Sequence, residues 1–173
     1  MRFVALLLVV AVAAGAAVVS IEPTWYLRMR YPLEYPQIVR GHAENYDLEP
    51  ALLAAVIYTE SKFDADARSA SGAIGLMQLL PETARGIAIR TGGGAFTTDD
   101  LYDPEINVRY GSWYLRHLLQ KYDGDLRKAL AAYNGGQGNV DRGIQYAETR
   151  HYVERVRELE NVYRRAYADE LGT

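Results

Sequence analysis

The chain has six prolines, and their positions restrict its fold more than any other feature. Proline has a fixed φ and no backbone N–H, so a helix tolerates it in the first turn and excludes it from the interior. Pro50, Pro81 and Pro104 each stand directly before a run with helical character. Asp103 precedes Pro104 as a capping residue, and Glu105 falls in the first turn. These signals predict helices over 50–60, 81–90 and 104–122. Thr91-Gly92-Gly93-Gly94 breaks the second of them. Shorter helices are expected over 37–46 and, after the turn Asp123-Gly124-Asp125, over 126–133, with a last one over 148–168. No segment alternates apolar and polar residues as a half-buried strand does. A mainly α fold follows. Pro23, Pro32 and Pro36 fall together in 22–36, which reads as a linker without regular structure. Residues 169–173 read as a frayed tail.

Of the 173 residues, roughly the first twenty form a leader, and the remainder suits a single domain with its own core. Phe3 to Ile21 carries no charge and follows Met1-Arg2. It reads either as a cleaved signal peptide, with small residues at Ala14-Gly15-Ala16, or as a retained anchor, since a span needs about 20 apolar residues. Trp25 and Tyr26 suit a membrane interface, with Arg28 and Arg30 beyond them. The anchor is the expectation adopted. A mature N-terminus between Ala14 and Glu22 would identify a signal peptide instead.

The rest of the composition excludes several classes. A net charge of −3 argues against a nucleic-acid binder. Cysteine is absent, which removes disulfides, thiolate metal sites, a cysteine nucleophile and lipid attachment at an N-terminal cysteine. His42, His117 and His151 lack metal-ligand spacing. Asp123-Gly124-Asp125 lacks the other ligands of a calcium loop. Gly135-Gly136-Gln137-Gly138 follows no strand and is not a dinucleotide fingerprint. No cofactor or metal is expected.

Leu53, Val56, Ile57 and Glu60 repeat at i, i+3, i+4 and i+7, the spacing of one buried helix face. A carboxyl group therefore lies on the apolar stripe, in the last turn. Burial and the negative end of the helix dipole both favour its protonated form. Such a group can donate a proton to a leaving oxygen. The competing reading is a helix end turned into water. Asp64 and Asp66 follow in a loop of turn-forming residues, where capping or solvation is expected. Gly111 in mid-helix costs about 1 kcal/mol against alanine, so close packing is expected there, with Asn107 one turn earlier as a buried polar bridge.

Glu60-Ser61, followed by Ser69-x-x-Gly72-Ala73-x-Gly75-Leu76-Met77-Gln78-x-x-Pro81-x-Thr83-Ala84, resembles the signature of the soluble lytic transglycosylases. Three more blocks keep the family's order. They are Asp103-Pro104-x-x-Asn107-x-x-x-Gly111-x-x-Tyr114-Leu115, then Ala131-Ala132-Tyr133-Asn134-Gly135-Gly136, with Gly135 where alanine is usual, and Glu148-Thr149-Arg150-x-Tyr152-Val153. The resemblance covers about residues 36 to 158. It implies a lysozyme-like single catalytic domain over 37–168, related to goose-type lysozyme, after a hydrophobic N-terminal helix over 1–21 and the linker 22–36.

The resemblance also implies the chemistry. Peptidoglycan glycan strands would be cut at the β-1,4 bond between N-acetylmuramic acid and N-acetylglucosamine, leaving a 1,6-anhydromuramyl end. Glu60 would act as the acid and then as the base, with the substrate's own N-acetyl group stabilising the cationic centre. Ser69, Ser71, Met77, Gln78, Tyr133, Asn134 and Tyr152 would contact the glycan. For Ser71 a turn-shaping role competes, and for Met77 a place in the core. Ser61, Gly72, Gly75, Asn107 and Gly111 would support the site. Fourteen tyrosines suit carbohydrate, since each joins a flat apolar face to a hydroxyl; only two or three are expected to touch it. The implied location is the cell envelope, outside the cytoplasm, anchored or secreted. The rivals are a muramidase on the same fold and a non-catalytic envelope module that binds glycan.

Overall fold

The computed structural model describes residues 22–144 and 146–172. The leader expected over 1–21 lies outside the described residues. Among those described, no helix is long and apolar enough to cross a membrane. The chain divides into two compact units, Met1–Pro32 and Leu33–Thr173.

In the first unit, helix α1 covers Thr24–Arg30. The expectation of an irregular linker over 22–36 fails at this point, for a local reason. Pro23 is the N-cap and stands outside the helix, where its missing N–H costs nothing. Pro36 in turn opens α2, Pro36–Asn45, in the second unit.

That second unit continues with α3 (Pro50–Ser61), α4 (Pro81–Thr91), a 3-10 turn (Thr98–Tyr102), α5 (Pro104–Lys121), α6 (Leu126–Gly135), the short α7 (Gln137–Asp141), α8 (Ala147–Ala166) and α9 (Ala168–Leu171). Four of these helices, α2 to α5, carry proline in the first turn. The Glu49 side chain accepts the Leu52 N–H at 2.7 Å and so caps α3. Asp103 caps α5 by accepting from Glu105 and Ile106 at 2.8 and 3.1 Å. Expected tail residues 169–171 belong instead to α9, because Leu171 is buried and Gly172, at φ 72°, closes the helix.

α3 is the centre. Every residue from Ala51 to Ile57 is buried, so the single apolar stripe read from the sequence is too narrow. A helix that is apolar all round has to be enclosed. α8 packs along it most extensively, and α2 covers another side. α5 links the two halves of the enclosure, touching α2, α4 and α6.

Between α3 and α4 runs a loop with extended pairing only at two isolated bridges, Arg68 with Ile74 and Ile74 with Leu79. Asn107 on α5 holds this loop. Its carboxamide oxygen accepts the Met77 N–H at 2.8 Å, and its nitrogen donates to Ile74 and Leu101 carbonyls at 2.9 and 2.8 Å. Gly75 has φ 78°, and a Cβ there would lie 2.3 Å from the Leu101 carbonyl oxygen. A Cβ on Gly111 would lie 2.2 Å from the Met77 sulfur. The close packing and the buried bridge expected at Gly111 and Asn107 are both present.

Asn107 is fully buried, and each buried polar group left without a partner costs about 1–3 kcal/mol. Asn107→Ala takes the partner from the Met77 N–H and the Leu101 carbonyl, whereas the Ile74 carbonyl keeps the Leu79 N–H at 3.1 Å. Urea denaturation should report a loss of about 2 kcal/mol or more, whereas a loss under ~1 kcal/mol would mean that the loop is held by other contacts.

Candidate active site

The loop after α3, the end of α6 and the start of α8 enclose a cleft of about 550 Å³. Glu60 reaches it from the last turn of α3, together with Ser69, Ser71, Gln78, Tyr133 and Asn134. Burial raises the Glu60 pKa from 4.5 to about 7, against the lowering effect of a hydrogen bond from Tyr152. That bond runs from the Tyr152 hydroxyl to Glu60 Oε1 at 2.6 Å. Burial, then the nearby Glu60 charge, lifts the Tyr152 phenol well above its usual value, so it stays an O–H donor. Tyr133 is raised by the same two causes in the same order, and its hydroxyl donates to the Met77 carbonyl at 2.8 Å.

The bulge of the loop is shaped by its own hydrogen bonds. Ser69 Oγ accepts the Ala73 N–H at 3.0 Å and lies 2.9 Å from Ser71 Oγ. Gly72, at φ 86°, allows the turn between them. Gln78 is itself left-handed, at φ 47°. Its side-chain nitrogen donates to Ala67 and Gly75 carbonyls at 3.1 and 2.9 Å. What Gln78 offers a ligand is therefore its carboxamide oxygen. The Ser61 hydroxyl donates to the Leu76 carbonyl at 2.9 Å and ties the end of α3 to the loop.

Two expected glycan contacts are absent from the cleft lining: Tyr152 is buried and meets the site through its bond to Glu60, and Met77 is the other. Met77 is fully buried and packs on Gly111, so its side chain does not face the cleft. Only its backbone serves the site, through Tyr133 and Asn107. Asp64 and Asp66 lie away from the cleft lining; Asp64 Oδ1 accepts the Asp66 N–H at 2.9 Å and closes the turn. Gly135, which departs from the usual alanine, faces α8: a Cβ there would stand 2.9 Å from Thr149 Oγ1.

Several cleft residues were not picked out as ligands from the sequence. Thr83, Tyr114 and Glu148 line the cleft, yet all three stand inside the blocks that carried the resemblance. Glu148 matters most, because it puts a second, exposed carboxylate in the cleft. The acids that the sequence sets close after Glu60 are Asp64 and Asp66, but the second carboxylate in the cleft is Glu148. Among the described residues, no group of three His, Cys, Asp or Glu side chains could hold a metal ion.

Fold and site together define a family. The model of the transglycosylase SLT domain matches residues 37–155, and the chain belongs to that family. A transglycosylase of Enterobacteria phage PRD1 is 35% identical over 124 residues, covering 72% of this chain and 42% of its own length. Membrane-bound lytic murein transglycosylase C of Serratia proteamaculans is 32% identical over 168 residues, covering 76% of this chain and 47% of its own. This chain therefore spans less than half of either relative. Among solved structures, an inactive Glu-to-Gln mutant of the lytic transglycosylase Slt from Pseudomonas aeruginosa superposes with a TM-score of 0.76 and 32% identity, over 80% of this chain and 25% of that one. The 70 kDa soluble lytic transglycosylase from Escherichia coli gives a TM-score of 0.77 at 27% identity, over 84% and 26%.

The Glu60 shift has a consequence for stability. A pKa raised from 4.5 to about 7 on folding means that the folded state holds the proton more tightly. That contribution is complete below pH 4.5 and is lost as pH rises through 7. Glu60→Gln stays neutral throughout. It should match the parent near pH 4 and exceed it at pH 8 by on the order of 2–3 kcal/mol in denaturation experiments. An equal difference at both pH values would contradict the shift.

Proposed function

We propose that this chain is a peptidoglycan lytic transglycosylase and that Glu60 is its one acid–base group. The observation that carries the reading is a carboxyl group with a pKa of about 7 at the wall of an open cleft. At neutral pH about half of such groups hold a proton. In the first step Glu60 gives that proton to the glycosidic oxygen, and the bond from this oxygen to C1 of the muramyl ring breaks. The substrate's N-acetyl group stabilises the cationic centre, in a substrate-assisted route. In the second step the muramyl 6-hydroxyl oxygen attacks C1, and its proton returns to the Glu60 carboxylate. The acid is regenerated, and no water is consumed.

Tyr152 fits both steps. Its hydroxyl orients Oε1 and steadies the carboxylate between them. Ser69, Ser71, Gln78, Tyr133 and Asn134 are proposed to hold the sugar's amide and hydroxyls, with Tyr133 also supplying a ring face. The Glu-to-Gln change in the inactive Pseudomonas mutant supports a single indispensable glutamate. The envelope, outside the cytoplasm, is the proposed location, with the leader as export signal or anchor. The name of the Serratia relative, which calls it membrane-bound, supports an envelope setting.

Glu148 favours a second reading. A second carboxylate in the cleft could activate water, which would make the chain a muramidase. Digesting purified wall in ¹⁸O-labelled water and weighing the fragments separates the two. The transglycosylase reading expects unlabelled 1,6-anhydromuramyl ends, a fall of about 10²–10⁴-fold in Glu60→Gln, and anhydro product retained in Glu148→Gln. Reducing ends carrying ¹⁸O would contradict it.

A further inference from the structure

The cleft does not end at the reacting bond. Thr83 and Tyr114 also line a second cavity of about 210 Å³, whose far wall is Trp113 and His117. Those two residues in turn line a third cavity of about 340 Å³, bounded by Tyr46 and Arg116. Trp113 and His117 stack face to face, with ring centroids 5.2 Å apart and an angle of 11°. On the cleft side, the Tyr114 and Tyr133 rings lie 5.4 Å apart. Shared walls thus join three cavities in one row along the exposed side of α5.

The geometry points to an extended glycan-binding track in which the Trp113–His117 stack is the platform for a sugar ring several units from the scissile bond. This inference rests on the transglycosylase reading and adds to it the length of strand that is held. The chemistry fits a polymer of N-acetylated hexosamines. A partly exposed indole stacked on an imidazole offers a flat apolar face for the C–H face of a pyranose. Arg90 and Gln137 stand on the rim of the second cavity and can serve amide and hydroxyl groups. Gln137 is already positioned, accepting from Lys121 at 2.9 Å and donating to Tyr114 at 3.4 Å. The other walls of these cavities are mixed in charge, Glu82 with Arg90 and Asp47 paired to Arg116 at 2.9 Å, which suits a neutral sugar better than an acidic peptide.

The test compares the parent with Trp113→Ala, Trp113→Phe and His117→Ala on two substrates without stem peptides: long amidase-stripped glycan strands, and a short oligosaccharide that fills the catalytic cleft alone. The track predicts a KM on long strands raised roughly 3- to 10-fold, the worth of one stacked ring. It also predicts an unchanged kcat, partial rescue by phenylalanine and no effect on the short substrate. His117 is exposed, so its removal leaves the core intact even if loss of Trp113 disturbs folding. Binding gives an independent readout. The chain has two tryptophans, so in a Trp25→Phe, Glu60→Gln double variant Trp113 is the sole indole. Its emission should shift with the hexamer of N-acetylglucosamine and stay constant with the dimer. Equal losses on long and short substrates, or a Trp113 signal blind to the hexamer, would overturn the track. A KM effect confined to peptide-bearing wall would also overturn it, assigning the platform to the stem peptide. A parent protein that cuts neither substrate would defeat the transglycosylase reading, and the fluorescence would still decide the track.

Discussion

A helix without an outer face can exist only inside other helices, and α3 is such a helix. Seven consecutive residues, Ala51 to Ile57, are buried. Its alanines let neighbours come close, and its leucines, valine and isoleucine supply apolar area worth about 1.5–3 kcal/mol for each large side chain buried. α2 and α8 lie against it because it must be covered. Toward the C-terminal end the burial relaxes, from Tyr58 onward. There the helix reaches the cleft wall and presents Glu60. The burial that organises the core thus also places the acid at its edge.

The same edge decides the electrostatics. Glu60 is shifted by burial and opposed by one hydrogen bond, and no cation enters the balance. A lysine or arginine beside it would hold the carboxylate ionised and remove the proton needed first. Tyrosine steadies the charged form without adding charge. Because Tyr133 and Tyr152 are themselves pushed upward by burial, they remain neutral donors throughout. The loop that faces Glu60 is held from behind. Asn107 fixes Met77 and Ile74, Ser61 fixes Leu76, and Tyr133 bonds the Met77 carbonyl. Met77 therefore joins helix packing to the site although its side chain never meets the cleft.

Much of this was legible in the sequence, because its signals are local. Pro50, Pro81 and Pro104 opened helices where their chemistry permits, and Asp103 capped α5 as expected. Gly111 and Asn107 declared a close contact because a mid-helix glycine needs a reason. The failures came from contacts that sequence spacing cannot see. Pro23 and Pro36 looked like linker residues, yet one caps α1 from outside and the other starts α2. Leu171 gave no local sign of being buried, so α9 read as a tail. Met77 and Gln78 are adjacent, but one side chain points into the core and the other lines the cleft; the left-handed backbone at Gln78 belongs to that turn. Glu148 stood in view within a matched block. Only the way α8 begins, beside the cleft, shows that its carboxylate shares the cleft with Glu60.

The central claim is that the fold holds the Glu60 proton near neutrality. Carbon-13 NMR of side-chain carboxyl groups in glutamate-labelled protein, with Glu60→Gln to assign the resonance, measures this directly across pH 3 to 9. The account predicts a midpoint for Glu60 at about 7, apart from the other glutamates. A midpoint between 4 and 5 would show an ordinary solvated carboxylate at the end of α3 and would remove the basis for its double role.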